Sequence, residues 1–215
     1  MKKAARKSIR SRKTPVQSRS SATVEAILEA TIQVLTTAGE EHLTTTLIAA
    51  RAGVSVGTLY QYFPNKQSVL HAVLEKHLTK VVEALEGACS EARGEPVAVM
   101  AERIVEAFVR AKLERADASV ALYAVSANAE ANALMQRLRR RSLKALISML
   151  GTTPDASFEE VTGIAEMLYA AMAGATRAVL EGGATPKMVR SLREQLVVLC
   201  GAYLAAAGGR VTEQG

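Results

Sequence analysis

Apolar residues recur at intervals of three and four along almost the whole of this 215-residue sequence. The pattern is clearest in 161–179 and 189–203, where it places apolar side chains on one face of a helix. Strands instead alternate apolar and polar residues and favour aromatic ones, which make up only 4% of this chain. The sequence therefore predicts an all-α fold.

Glycine, proline and capping residues predict where the helices begin and end. Breaks are expected at Gly39, at Gly53 and at Pro64, and again over residues 94–96 and 151–154. Further along the chain, Ser157 and Glu160 form a capping-box pattern, which predicts that a helix begins there. Gly182-Gly183 should end that helix, and Thr185-Pro186 should open the last one.

The positive charge of the chain is concentrated at its start. Residues 1–20 contain eight Lys and Arg residues and no acid, which leaves 19 basic against 21 acidic residues in the remainder. Without apolar periodicity, residues 1–18 are expected to form a disordered tail. Two interpretations remain open: a solubilising extension, or an arm that contacts DNA phosphates.

Cysteine use and hydropathy bound the environment of the protein. Cys89 and Cys200 lie far apart in apolar helical patterns, which indicates reduced core residues and no disulfide. No signal peptide is recognisable, and no segment approaches the ~20 apolar residues of a membrane span. We expect a soluble, cytoplasmic protein without membrane contact. His71, Glu75 and His77 do not share one helix face, so neither a metal site nor a cofactor is predicted.

Residues 44–63, TTTLIAARAGVSVGTLYQYF, have the pattern of two short helices joined by a tight turn at Gly53. Ile48, Ala49 and Ala52 should pack inward from the first helix, as should Leu59 and Phe63 from the second. The opposite face of the second helix consists of small and amide residues and carries no charge. Such a face suits the major groove, where glutamine pairs with adenine and an apolar side chain contacts a thymine methyl group.

From Arg19 to about Val81 the sequence strongly resembles the DNA-binding domain of the tetracycline-repressor (TetR) family. The resemblance rests on A-x-x-A-G-V-S at Ala49–Ser55, G-T-L-Y-x-Y-F at Gly57–Phe63, and Asn65-Lys66. It implies a helix-turn-helix DNA-binding domain over 19–65 and a helical ligand-binding and dimerisation domain over 66–215. The DNA contacts that it implies are Thr45, Thr46, Ser55, Val56, Gly57, Thr58, Tyr60, Gln61, Tyr62 and Lys66.

The resemblance and the regularity of the last two helices together predict a homodimer. The expected interface comprises Val161, Leu168, Met172, Ala175, Val179, Leu192, Leu196, Leu199 and Tyr203. Candidate residues for lining an effector cavity are Met100, Phe108, Tyr123, Met135, Met167 and Tyr169. Because these side chains are mainly apolar, the expected effector is small and partly apolar, and nearby arginines would accept an anionic group.

The predicted function is that of a transcription repressor that binds a palindromic operator in double-stranded DNA and is released by the effector. The alternative is a DNA-binding regulator without a ligand, controlled by a partner protein or by its abundance. The charge run Arg137, Arg139, Arg140, Arg141 and Lys144 is expected to be a solvated helix face, or else to approach an acidic effector or DNA.

An enzymatic function is not expected, although Gly53-Val-Ser55-Val-Gly57 matches the G-x-S-x-G motif of serine hydrolases. That motif requires a strand before the serine, and an acid and then a histidine later in the chain. Here a helix precedes Ser55, and the only acid between Ser55 and the last histidine, His77, is Glu75, which lies almost beside it on the same predicted helix. Ser55 is better explained as a helix N-cap.

Overall fold

A computed structural model describes residues 15–123 and 129–209. Within these ranges the chain forms nine α-helices, and the prediction of an all-α fold is confirmed. They are α1 (Pro15–Ala38), α2 (Thr45–Ala52), α3 (Val56–Tyr62), α4 (Lys66–Glu91), α5 (Val97–Leu113), α6 (Ala116–Tyr123), α7 (Ala129–Leu150), α8 (Val161–Glu181) and α9 (Pro186–Ala207). No helix in the described ranges is long and apolar enough to cross a membrane.

The chain divides into two compact units, Met1–Val69 and Leu70–Gly215. The division falls inside α4, so the first turn of that helix belongs to the N-terminal unit. A boundary between residues 65 and 66, as predicted from the sequence, stays a prediction. The basic tail, apart from its last four residues, lies outside the described part of the chain.

The N-terminal unit buries one apolar face of each of its short helices. Ile27 from α1, Ile48 from α2 and Leu59 from α3 are fully buried, together with Leu43 from the preceding turn. Helices α2 and α3 have eight and seven residues, lengths at which isolated helices are not stable in water. The packing of α2 onto α1 and of α3 onto α2 therefore maintains them.

The C-terminal unit is built around α5, which packs against α6, α7, α8 and α9. Met100, Ile104 and Phe108 lie at the centre of its core, beside Met149 of α7 and Met172 of α8. Cys89 and Cys200 are free and buried in the same core. Burial raises the pKa of the Cys89 thiol to about 12 and that of the Cys200 thiol to about 11, so both thiols stay protonated near neutral pH.

The loop after α7 is tied to the start of α5. Pro96 at the α5 N-cap has no capping side chain, and Asp155 Oδ1 instead accepts a hydrogen bond from Val97 N at 3.1 Å. Nearby, Thr152 Oγ1 accepts from Gly94 N at 2.9 Å. The loop after α7 thereby satisfies one free backbone N–H of α5, at Val97, and one of the turn that precedes it, at Gly94.

The predicted capping box at Ser157 and Glu160 is wrong. Helix α8 begins only at Val161, and Glu160 makes no capping hydrogen bond through its side chain. Ser157 instead forms an isolated β-bridge with Gly209, in which each backbone N–H donates to the other residue's carbonyl at 3.0 and 2.9 Å. This pairing after α9 holds Ser157 in an extended conformation that a helix start at that position would not permit.

Gly53 ends α2 with φ +69°, in the left-handed region. Because no atom lies within 4 Å of a Cβ built there, Gly53→Ala should act through backbone strain alone, at a cost of about 1–2 kcal/mol. Hydrogen exchange in peptides covering α2 and α3 should accelerate by roughly 5–30-fold.

Gly57→Ala is the matched control, because Gly57 is helical and its added Cβ would meet only Ser55 Oγ at 3.7 Å. It should slow the same exchange, since alanine favours the helix by roughly 0.5–1 kcal/mol over glycine. Equal exchange in the two variants would contradict the left-handed turn.

Candidate functional site

The turn between α2 and α3 is fixed by local hydrogen bonds. The Thr44 side chain caps α2 by accepting from Leu47 N at 3.2 Å, and Ser55 caps α3 by accepting from Thr58 N at 2.9 Å. Between the caps, Gly53 reverses the chain and Val54 N donates to Ala49 O at 3.0 Å. The predicted N-cap role of Ser55 and the predicted turn at Gly53 are confirmed.

Helix α3 has a buried side and an exposed side. Leu59 and, just past the helix end, Phe63 are buried in the N-terminal unit, as predicted. The side chains of Tyr60 and Gln61 are exposed, as is the backbone at Gly57. The exposed side has no charged residue, because α3 contains none.

The other predicted DNA-contact residues surround this surface. Val56, Thr58 and Tyr62 are half-buried on α3, and Ser55 is exposed at its start. Thr45 of α2 is hydrogen-bonded through its hydroxyl to the Tyr60 hydroxyl at 3.1 Å. The following residue, Thr46, is exposed, and Lys66 is half-buried at the first position of α4. We call the set of ten the α3 surface: Thr45, Thr46, Ser55, Val56, Gly57, Thr58, Tyr60, Gln61, Tyr62 and Lys66.

The C-terminal unit contains a cavity of about 220 Å³. Its lining is apolar except for a group of basic, hydroxyl and imidazole side chains. The lining residues are Leu74, His77, Leu78, Lys112, Ser119, Leu122, Tyr123, Ala131, Met135 and Arg177.

Two of the six predicted effector-cavity residues, Tyr123 and Met135, line this cavity. The structure places the others elsewhere. Met100 and Phe108 are buried in the core, where Tyr169 packs edge-on against Phe108 with ring centroids 6.2 Å apart. Met167 is exposed on α8.

Sequence reasoning missed Lys112 and Arg177, which bring positive charge to the cavity. The Lys112 Nζ lies 5.2 Å and the Arg177 Cζ 4.8 Å from the centroid of the Tyr123 ring. Burial, and then the charge of Arg177, lowers the pKa of Lys112 to about 8. A signal was present, because Lys112 follows Phe108 by four residues and so continues the apolar stripe of α5.

His77 is joined to Lys112 through a serine hydroxyl. The Ser119 hydroxyl donates to the Lys112 carbonyl oxygen at 2.8 Å, and the His77 Nε2 lies 2.9 Å from the same hydroxyl. Since the serine has one proton to donate, the imidazole Nε2–H must donate to it. Burial, with smaller contributions from Lys112, Arg115 and Lys80, lowers the pKa of His77 to about 4, although Asp117 opposes this.

The nine predicted dimer residues fall into two groups. Leu168, Met172, Leu192 and Leu196 are buried in the core of their own chain. Val161, Ala175, Val179 and Tyr203 are half-buried, whereas Leu199 is 53% exposed. The apolar stripe in the sequence thus follows mainly the intramolecular side of α8 and α9.

Three members of the arginine run on α7 are paired with acids of the same unit. Arg137 pairs with Glu75, Arg139 with Glu166 at 3.4 Å, and Arg141 with Glu86 at 2.7 Å. Each pair is substantially exposed, in agreement with a solvated helix face. Among the described residues, no three histidine, cysteine or acidic side chains are grouped as metal ligands.

Two family models match the chain in the order of its two units. Residues 27–73 match the model for bacterial regulatory proteins of the tetR family, and residues 96–204 match the tetracyclin repressor-like C-terminal domain. The helix-turn-helix thus defines a DNA-binding transcription regulator. The chain belongs to the TetR family.

Solved structures of low sequence identity share this fold. The fatty acid degradation regulator FadR from Bacillus halodurans has a TM-score of 0.68 at 18% identity, covering 89% of this chain and 97% of that one. A TetR-like regulator from Rhodococcus sp. RHA1 scores 0.67 at 22% identity, covering 85% and 96%. FadR from Bacillus subtilis in complex with stearoyl-CoA scores 0.68 at 16% identity, covering 83% and 98%. No curated protein sequence matches the chain.

The half-buried imidazole of His77 should make the free energy of unfolding depend on pH. The pKa of His77 is about 4 in the folded chain and about 6.5 when unfolded, so the unfolded state binds the extra proton between these values. The contribution of His77 is complete above pH 6.5 and is lost progressively as the pH falls from 6.5 through 4, by about 3 kcal/mol in total.

His77→Gln keeps an N–H donor for Ser119 and cannot become charged. Urea unfolding at pH 7.5 and pH 5 should therefore show a smaller loss of free energy of unfolding for the variant than for the wild type. The same loss in both proteins would contradict a neutral His77 in the folded chain.

Proposed function

We propose that this protein is a transcription repressor that binds a palindromic operator as a homodimer and is released by a small, partly apolar effector. The observation that carries the proposal is the composition of the α3 surface. It combines an exposed glycine, hydroxyl groups and an amide on a helix that the core holds by its other side.

Gly57 is the most informative residue of the α3 surface. It is helical, and a Cβ there would meet only Ser55 Oγ at 3.7 Å, an ordinary contact. Neither the backbone nor the packing of the chain requires glycine, which disfavours a helix by roughly 0.5–1 kcal/mol relative to alanine. The benefit of a missing side chain therefore lies outside the chain, in close approach of the helix to a partner surface.

The side chains around Gly57 have the chemistry of base and phosphate contacts. Gln61 can pair with the adenine N6 and N7, and Val56 can contact a thymine methyl group. Tyr60 and Tyr62 offer hydroxyl groups to phosphates, and Lys66 offers a positive charge. Two such helices in a dimer would enter successive major grooves about 34–36 Å apart.

The proposed dimer contact is the outer face of α8 and α9. Val198 is 64% exposed and Leu199 53%, and Met167 of α8 is also exposed. Alanine and glycine residues occupy neighbouring exposed positions on α8, among them Ala170 and Gly174. Small residues permit close approach of helices, and exposed large apolar residues gain by being covered. A second copy of this chain is the occupant we propose, in keeping with the family.

The proposed effector site is the 220 Å³ cavity of the C-terminal unit. The Bacillus subtilis neighbour was solved with stearoyl-CoA, which is much larger than this cavity. The volume of the cavity instead favours a smaller molecule, and its lining favours one that is partly apolar. Its binding to one conformation of the protein would release DNA by a coupling of about 1–3 kcal/mol, or roughly 5–150-fold in affinity.

Selection of genomic fragments by the purified protein would identify the operator and test DNA binding directly. On the selected site, Gly57→Leu should reduce affinity roughly a hundredfold or more, towards the non-specific level, because the side chain blocks entry into the groove. A reporter placed behind that site should be repressed by the wild type and not by the variant.

Gly87→Leu is the matched control, because Gly87 is exposed on α4 and nothing lies within 4 Å of an added Cβ. It should bind the operator like the wild type. Operator binding by Gly57→Leu at wild-type affinity would overturn the assignment of the α3 surface, and an unrepressed reporter with the wild type would argue against repression.

The dimer contact predicts that Leu199→Glu produces a folded monomer, because covering an unpaired carboxylate costs several kcal/mol. Light scattering should give the mass of two chains for the wild type and of one for the variant, with operator affinity falling in parallel. Val120→Glu, at an exposed position of α6, is the control and should remain dimeric. A dimeric Leu199→Glu protein would exclude this face. Met172 and Leu196 are unsuitable targets because their burial makes the fold itself sensitive.

A further inference from the structure

We propose that the cavity of the C-terminal unit binds a small monocarboxylate or similar monoanion, held by Lys112 and Arg177 with its apolar body against Leu74, Leu122 and Met135. The inference rests on the proposed effector site and assigns the chemical class of the effector. The surroundings of these two cations indicate which kind of ligand would compensate their charge.

Lys112 is the first of the two positions. The residue is only 8% exposed, and its ammonium group forms no ion pair with any described residue. The Tyr123 ring, 5.2 Å away, supplies a cation–π contact, which compensates only part of the cost of burying a charge. With a pKa of about 8, the amine is still mostly charged at neutral pH, so the cavity contains a cation that no described acidic residue neutralises.

Arg177 supplies the second position. Its Nε donates to Glu181 at 2.8 Å, one turn further along α8. Within the described residues its terminal Nη groups make no hydrogen bond, and its Cζ lies 4.8 Å from the Tyr123 ring centroid. A guanidinium with free Nη donors matches the geometry of a carboxylate. Because Glu181 offsets its charge, the cavity is left with about one uncompensated positive charge.

The other polar groups of the cavity do not change this balance. The Ser119 hydroxyl donates its hydrogen bond to the Lys112 carbonyl oxygen, and the His77 Nε2–H donates to that hydroxyl. The imidazole is uncharged at neutral pH. No acidic residue is found among the described residues that line the cavity. A monoanion therefore neutralises the site, whereas a dianion would leave an excess of negative charge.

Size and apolar surface restrict the rest of the ligand. The cavity volume of about 220 Å³ lies below the ~300–1,000 Å³ of sites for drug-sized ligands. Leucine, alanine and methionine side chains line the remainder, so polyhydroxylated molecules would lose hydrogen bonds on entry. These features favour an aromatic or medium-chain carboxylic acid.

The test compares matched charged and neutral probes on the full-length protein. Benzoate, salicylate and octanoate are each paired with the corresponding amide at millimolar concentration, and thermal unfolding and calorimetry measure binding. At least one carboxylate should raise the Tm and bind at least about tenfold more tightly than its amide, as expected for charge-assisted hydrogen bonds. No preference for any carboxylate across the panel would overturn the proposal.

Two variants assign the effect to the proposed residues. Lys112→Met removes the charge while keeping a similar apolar stem, so the ligand-free Tm should be retained or raised, while carboxylate affinity falls at least about tenfold. Arg177→Gln should weaken binding in the same direction. Lys144→Met, at an exposed position of α7, is the control and should bind like the wild type. Unchanged carboxylate affinity in Lys112→Met would overturn the site.

Operator binding, measured with the same probes, separates this inference from the proposed function. Carboxylate binding that leaves operator affinity unchanged would refute release by the effector and leave the anion site standing. Release by neutral amides, with no preference for carboxylates, would refute the anion site and leave ligand control standing.

Discussion

The burial of α5 is the constraint on which the C-terminal unit depends. Ten of its residues, from Val97 to Lys112, are buried, and four other helices pack around it. In a helix enclosed to this degree, a residue on a buried face is carried into the interior whatever its own polarity. Lys112 is buried because it lies on the face of α5 that packs into the core. The cavity beside it leaves room around the charged ammonium group. The chemistry of the proposed effector site is thus a consequence of how the core is packed.

The N-terminal unit follows a different principle, because its helices are too short to be stable alone. Side-chain caps at Thr44 and Ser55 and the left-handed turn at Gly53 set the path of the chain. Buried Leu59 and Phe63 then anchor α3 from one side. This anchoring leaves Gly57, Tyr60 and Gln61 exposed on the other side, where no buried position dictates the residue type and a glycine and an amide indicate a function.

Local signals in the sequence succeeded where the physics is local. The turn at Gly53, the caps of α3 and α9, and the buried face of α3 all depend on residues within one or two turns of each other. The capping box at Ser157 failed because a residue 52 positions away, Gly209, pairs with the same backbone groups. The cap of α5 by Asp155 could not be predicted either, because Asp155 lies 58 residues after Val97, whose N–H it accepts, and no local pattern links the two residues.

The sequence alone determined the all-α class, the helix-turn-helix and the family, because periodicity, caps and a dense local motif are properties of neighbouring residues. Tertiary structure decided which side of each amphipathic helix meets its own core. It placed Leu196 inside and left Leu199 exposed, a distinction of less than one helical turn. It also brought Lys112, Tyr123 and Arg177 from three helices to one cavity. Periodicity specifies a stripe on each helix, but only the packing of all the helices specifies which stripes are covered and which residues meet.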